Sequence, residues 1–178
     1  MLIRDTELPD AKLIELQPHG DERGFFARTF CTREFAAHGL ETSFVQHSTS
    51  FSATRGTLRG MHFQRGADAE VKVVSCARGA IYDVIIDLRP GRNQGRWQGF
   101  ELTADNRNRL YIPKGFAHGF QTLTDDVEVS YLISEFYAPA AASGVRYDDP
   151  AFAIHWPLAV TTLSEKDRNW PDFAAVAI

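Results

Sequence analysis

Arg55-Gly56-Thr57-Leu58-Arg59-Gly60-Met61-His62-Phe63-Gln64 crowds two glycines, two arginines, a histidine and three apolar side chains into ten positions. A second stretch answers it downstream, Ile112-Pro113-Lys114-Gly115-Phe116-Ala117-His118-Gly119-Phe120, and the two read as halves of one site. Around them the dominant period is two. Tyr82, Val84, Ile86 and Leu88 fall on one wholly apolar face of a strand, and Ile81, Asp83, Ile85 and Asp87 on a mixed face. Val71 to Ala77, Trp97 to Leu102, Arg109 to Ile112, His118 to Leu123 and Val127 to Ile133 read as strands in the same way, with Gly79, Pro90-Gly91, Asn93 and Asp125-Asp126 as turns. Many short strands at close spacing predict an antiparallel all-β sandwich or barrel.

The first half carries one convincing helix, with Thr32 as N-cap, Arg33 to His38 as its body and Gly39 as its stop. Ala138 to Ser143 reads as a loop of small residues inside one domain spanning 1–178. A chain of this length buries about 70% of the surface its unfolded form exposes and needs no covalent staples. The two cysteines, Cys31 and Cys76, match neither a disulfide framework nor a zinc pattern, which points to a reducing compartment, the cytoplasm. Charges in Met1-Leu2-Ile3-Arg4-Asp5 argue against a signal peptide, and no apolar run is long enough for a membrane span. The net charge of -4 argues against a nucleic-acid binder, but not against a small anionic ligand, which needs only a few local cations.

Three strand positions place chemistry among apolar neighbours. Lys72 shares a face with Val74 and Cys76, Asp83 with Ile81 and Ile85, and Tyr131 with Val127, Val129 and Ile133. If those faces line the interior, an ammonium, a carboxylate and a phenol point into it. Each has an ordinary explanation when taken singly: a solvated lysine, an exposed strand carboxylate, an aromatic at the core edge. Their coincidence with the two histidine stretches is what singles them out.

Gly-x5-His-x-His with a later Glu and x6-Gly, followed by Pro-x-Gly-x2-His, is the signature of the cupin superfamily, and the chain resembles it position by position. Gly56 and His62 fit, and so do Pro113, Gly115 and His118, but Gln64 stands at the second histidine and Lys72, counted back from Gly79, at the acidic ligand. An ammonium there opposes a divalent ion, so no metal is expected. The resemblance implies a cupin jelly roll, a double-stranded β-helix with a few short peripheral helices.

With His62 and His118 in such a cup and Lys72 in place of the acid, the chain closely resembles the dTDP-4-dehydrorhamnose 3,5-epimerase family. The likeness includes Asp21-Glu22-Arg23-Gly24-Phe25-Phe26, Leu58 to Gln64, Asp83-Val84 with Asp87-Leu88-Arg89, Ile112 to Phe120, Asp148-Asp149-Pro150, His155-Trp156-Pro157 and Ser164-Glu165-Lys166-Asp167. It implies a cofactor-independent isomerase that inverts C3 and C5 of a nucleotide-linked 4-keto-6-deoxy sugar through an enolate. His62 would be the base, Asp167 the carboxylate that orients it, Lys72 the cation on the enolate oxygen and Tyr131 the proton donor, with His118 and Asp83 as a supporting pair. A histidine suits a base because its ordinary pKa lies near neutrality. Arg23 and Arg59 are the diphosphate candidates, and Phe26 and Gln46 the base-side contacts. The resemblance also implies a homodimer in which Arg23 and Phe26 reach a neighbouring subunit's cup. Two positions depart from the family pattern: Arg28 stands where relatives commonly have Glu, and Ser48 where they commonly have Asn. A single-carbon epimerase, a sugar ketoisomerase and a non-catalytic sugar-binding cupin are the alternatives carried forward.

Overall fold

In a computed structural model that describes residues 1–175, two antiparallel sheets face each other across an apolar core. The end of the expected 1–178 domain, residues 176–178, lies outside the described residues. The strands in chain order are β1 (Leu2–Asp5), β2 (Lys12–Glu15), β3 (His19–Asp21), β4 (Gly24–Phe26), β5 (Gln46–Ser52), β6 (Leu58–Gln64), β7 (Lys72–Arg78), β8 (Ala80–Asp87), β9 (Trp97–Thr103), β10 (Arg109–Ile112), β11 (Phe116–Thr122), β12 (Val127–Ile133) and β13 (Ala142–Gly144). One sheet runs β1-β2-β10-β7-β12-β5, the other β13-β6-β11-β8-β9, and β3 and β4 form a separate hairpin. The helices are short, α1 (Thr32–Ala37) and α2 (Glu165–Arg168). The period-two pattern predicts an antiparallel sandwich or barrel, and this is the jelly roll that the cupin resemblance implies.

Strand alternation sorts the apolar residues into three layers. Val74 and Cys76 from β7, Ile81 and Ile85 from β8, Val127 and Val129 from β12 and Phe116 and Phe120 from β11 meet between the sheets. Val84, Ile86 and Leu88, on the opposite face of β8, pack with Met61, Phe63, Val145 and Phe152 on the outer side of the smaller sheet. A third cluster, Ile14, Val73, Tyr111 and Phe35, seats α1 on the outer side of the larger sheet. Both faces of β8 are therefore buried, including the one that carries Asp83 and Asp87. Each fully buried Leu, Ile, Val or Phe contributes about 1.5–3 kcal/mol, so such layers hold a cup rigid enough to aim side chains.

Several local boundaries differ from the sequence reading. Cys31, not Thr32, is the N-cap of α1, no side chain caps it, and the helix ends at Ala37 with Gly39 in the left-handed region (φ 69°). Packing fixes this helix in place of capping: Phe35 is fully buried against Phe30, Phe44 and Tyr111. Within the stretch read as a loop, Ala142 begins β13, which pairs with β6 at Gln64, Phe63 and His62. The strands expected at 109–112 and 127–133 have those bounds, and β7, β8, β9 and β11 lie within a residue or two of theirs.

Candidate active site

The cup opens between the sheets where β6 and β11 run side by side. His62 of β6 and His118 of β11 are directly paired across that ladder, so both side chains share the inner face. Beyond them the register shifts, and Gly60 and Met61 lie against Gly119 alone. Only glycines permit that approach. A Cβ on Gly60 (φ 146°) would stand 2.6 Å from Gly119 Cα, and one on Gly119 would stand 2.9 Å from Gly60 Cα and 2.7 Å from Arg59 O.

Each histidine has its own carboxylate. His62 Nε2 lies 2.5 Å from Asp167 Oδ1, and His118 Nε2 lies 2.6 Å from Asp83 Oδ1. The His118–Asp83 pair is fully buried, whereas the His62 side chain is 43% exposed with its carboxylate buried. That asymmetry leaves His62 as the histidine able to meet a ligand.

Asp167 arrives from far along the chain by backbone pairing. Leu58 N–H donates to Thr162 O at 2.9 Å and Thr161 N–H to Gly56 O at 3.0 Å, which lays the C-terminal segment along the start of β6. Ser164 then caps α2, its Oγ accepting Asp167 N–H at 3.0 Å, and the single turn sets the carboxylate over the bulge. Asp167 accepts two further bonds, from Gly60 N–H and Trp170 Nε1, both at 3.3 Å. Burial pushes its carboxyl up, but hydrogen bonds from His62, Gly60 and Trp170 and the charge of His62 outweigh that and hold it below the usual carboxylate range. Trp170 also meets the His62 ring edge-on at 6.2 Å.

Across the cavity, Tyr131 of β12 sits edge-on to His118, with its hydroxyl 3.1 Å from Ser50 Oγ on β5. Burial pushes its phenol well above the ordinary tyrosine range, with the Asp83 charge adding to the effect, while Ser50 and Arg59 oppose it less strongly. At neutral pH this phenol holds its proton. Lys72, at the start of β7, bonds Glu70 Oε1 at 2.8 Å and His62 O at 3.3 Å. Arg59 is braced by β5, donating through Nε to Ser52 Oγ at 3.0 Å and through Nη2 to Phe51 O at 2.8 Å.

One cavity of about 710 Å³ gathers His62, Lys72, His118, Tyr131, Asp167, Arg59 and Gln46, with Asp83 behind His118. Arg23 and Phe26 are not in it. They lie on the β3–β4 hairpin, where Arg23 pairs with Asp21 and Phe26 is 72% exposed. Arg28 is likewise outside this cup and pairs with Glu34 at 3.2 Å, while Ser48 lines the cup.

Gln64, at the cupin histidine position, does structural work. Its amide donates to Asp68 O and Phe136 O and accepts Ala138 N–H at 2.7 Å, pinning the segment that carries Tyr137 to the cavity rim. Sequence reasoning missed Glu70 and Trp170. Neither is marked by its spacing: Glu70 lies just before β7, outside its alternation, and Trp170 sits three residues beyond Asp167.

A jelly roll whose cup holds two histidine–carboxylate pairs, a half-buried phenol and a lysine is a cupin-type enzyme built for acid–base chemistry. The family model described as dTDP-4-dehydrorhamnose 3,5-epimerase matches residues 5–175. The chain is 46% identical over 169 residues to the enzyme of that name from Methanothermobacter thermautotrophicus, covering 93% of this chain and 90% of the relative. It superposes with a TM-score of 0.93 at 43% identity on the Bacillus anthracis enzyme solved with TDP and PPi bound, covering 96% of this chain and 98% of that one. The Legionella pneumophila dTDP-6-deoxy-D-glucose-3,5-epimerase, solved in complex with dTDP-4-keto-L-rhamnose, gives 0.93 at 35% identity, covering 99% and 94%. This chain belongs to the dTDP-4-dehydrorhamnose 3,5-epimerase family, and it is an isomerase. No helix among the described residues is long and apolar enough to cross a membrane.

Proposed function

We propose that the chain converts dTDP-4-dehydro-6-deoxy-D-glucose into dTDP-4-dehydro-L-rhamnose, with His62 taking the proton from the carbon beside the ketone. Family membership supports inversion at both C3 and C5, the reaction in the names of its relatives. The single observation that carries the assignment is the His62–Asp167 pair at 2.5 Å: a buried carboxylate engages Nε2 and orients the ring, so Nδ1 is the nitrogen left to work on the ligand. Lys72 holds the charge that grows on the ketone oxygen, where a cation in a water-poor cup contributes several kcal/mol. Tyr131, a phenol that burial raises further above its ordinary pKa and that therefore stays protonated at neutral pH, returns the proton from the opposite wall. His118, held by Asp83 on the His62 side of the cup, meets the Tyr131 ring edge-on and supports it.

In this scheme Arg59 holds the diphosphate and Gln46 meets the base side of the nucleotide. Arg23 and Phe26 complete it in a homodimer, because the hairpin that carries them leaves Phe25 52% and Phe26 72% exposed and away from its own cup. Cys31 and Cys76 are both free thiols, which suits the cytoplasm. The reaction is tested by incubating the enzyme with dTDP-4-keto-6-deoxyglucose in deuterated water. Label at C3 and C5 of the product is expected, label at one carbon supports a single-carbon epimerase, and absence of exchange refutes the assignment.

A further inference from the structure

Lys72 reaches the cup on a flexible side chain, and a catalytic cation must be aimed. Leaving such a chain free means its rotamer entropy is lost each time the reaction demands one geometry. The cavity contains three carboxylates, and two are committed elsewhere: Asp167 to His62, and Glu135 to Lys114 at 2.9 Å. Glu70 belongs to Lys72. Its Oε1 stands 2.8 Å from Lys72 Nζ, and its side chain and that of Lys72 are only 6% and 13% exposed.

The other oxygen of Glu70 is occupied as well. Oε2 accepts the buried backbone N–H of Gln64 at 3.0 Å, at the end of the strand that carries His62. Both oxygens therefore face donors, which a carboxylate satisfies and an amide cannot, since its NH2 would oppose either the peptide N–H or the ammonium. Lys72 has three N–H donors. Glu70 takes one and the His62 carbonyl, at 3.3 Å, takes a second. One remains for the cavity.

We propose that Glu70 is a positioning residue for the epimerisation, anchored on Gln64, that fixes the Lys72 ammonium against the His62 strand so that its remaining N–H meets the ketone oxygen of the sugar. The proposal rests on the reading of Lys72 as the cation that stabilises the enolate. Glu70 does not touch the reacting atoms. It ties cation and base to one strand, so the two cannot drift apart while the proton moves.

A double-mutant cycle tests this, with kcat and KM measured for the wild type, Glu70→Gln, Lys72→Met and the pair, and thermal melting recorded for each. Glu70→Gln is expected to lower kcat on the order of tenfold, about 1.4 kcal/mol of transition-state stabilisation, with KM changed less than about threefold because the loss falls on the transition state. In the Lys72→Met background the same change is expected to alter kcat less than about twofold, since residues that act through one another are non-additive. A merely structural Glu70 would cost the same factor in both backgrounds, and that result overturns the proposal. So does a Glu70→Gln enzyme with wild-type kcat. Should Glu70→Gln fail to fold, Glu70→Asp keeps the charge but leaves the acceptor a methylene short, and it must show the same loss and the same silence beside Lys72→Met. Wild-type turnover by Lys72→Met would instead refute the enolate role of Lys72 and carry this proposal with it.

Discussion

Asp167→Asn probes how the base is held. The carboxylate accepts three bonds, from His62 Nε2 at 2.5 Å and from Gly60 N–H and Trp170 Nε1 at 3.3 Å. An asparagine amide that keeps the Gly60 bond turns its NH2 toward His62 Nε2, which must then act as acceptor. The proton moves to Nδ1, the nitrogen that the proposed mechanism needs free to take one from the sugar, and a protonated ring loses its counter-charge. A hydrogen bond to a charged group is worth about 1.5–3 kcal/mol, so kcat should fall about 10- to 150-fold, with the melting temperature measured in parallel. Conversion of dTDP-4-keto-6-deoxyglucose followed by NMR is the assay, and a variant within twofold of the wild type refutes the orienting role. The carboxylate also makes a pH prediction. The Asp167 carboxyl titrates lower in the folded state than in the unfolded chain, so its contribution to stability is present above about pH 4, the ordinary carboxylate range, and is lost as pH falls through the lower folded value. The stability gap between wild type and Asp167→Asn should therefore close as the pH drops below that range; a gap that widens contradicts the assignment.

Tyr131→Phe should uncouple the two halves of the reaction, with solvent deuterium still exchanged into the substrate after net inversion has failed; loss of both together contradicts a separate donor. Gly119→Ala puts a methyl 2.7 Å from Arg59 O and 2.9 Å from Gly60 Cα, and should cost about 1–3 kcal/mol of overpacking, seen as a melting temperature lower by about 2–4 °C per kcal/mol. A neutral substitution there would show that β6 and β11 do not approach as closely as described. Mixing an Arg23→Ala enzyme with a His62→Ala enzyme should restore part of the activity, because a mixed dimer contains one cup with both residues intact; no recovery argues against sharing across subunits.

Alternation made the interior legible. Neighbours two residues away single out Lys72, Asp83 and Tyr131 as polar groups on faces that point inward if those faces line the interior, and the structure puts Lys72 and Tyr131 on the cavity wall and Asp83 behind His118. β5 escaped that reading because Ser48 and Ser50 face the cavity where a core strand would show apolar residues, and the strand lies at a sheet edge. The bulge at Gly60 was hidden for another reason. The sequence displays a glycine, whereas the close approach that demands it depends on Gly119 of a strand more than fifty residues away. Asp167 lies between these cases: Ser164-x-x-Asp167 marks a capped helix start, but the pairing that docks the helix on β6 uses backbone groups that any residue supplies. Gln64 read as a lost ligand, and its actual task, holding the Phe136 and Ala138 backbone, appears only when the chain is folded.

The most direct test of the mechanism is solvent exchange in His62→Ala. With dTDP-4-keto-6-deoxyglucose in deuterated water, the folded variant should incorporate no label at C3 or C5 and form no inverted product. Deuterium entering either carbon at the wild-type rate would show that another group removes the proton, and would contradict the role of His62.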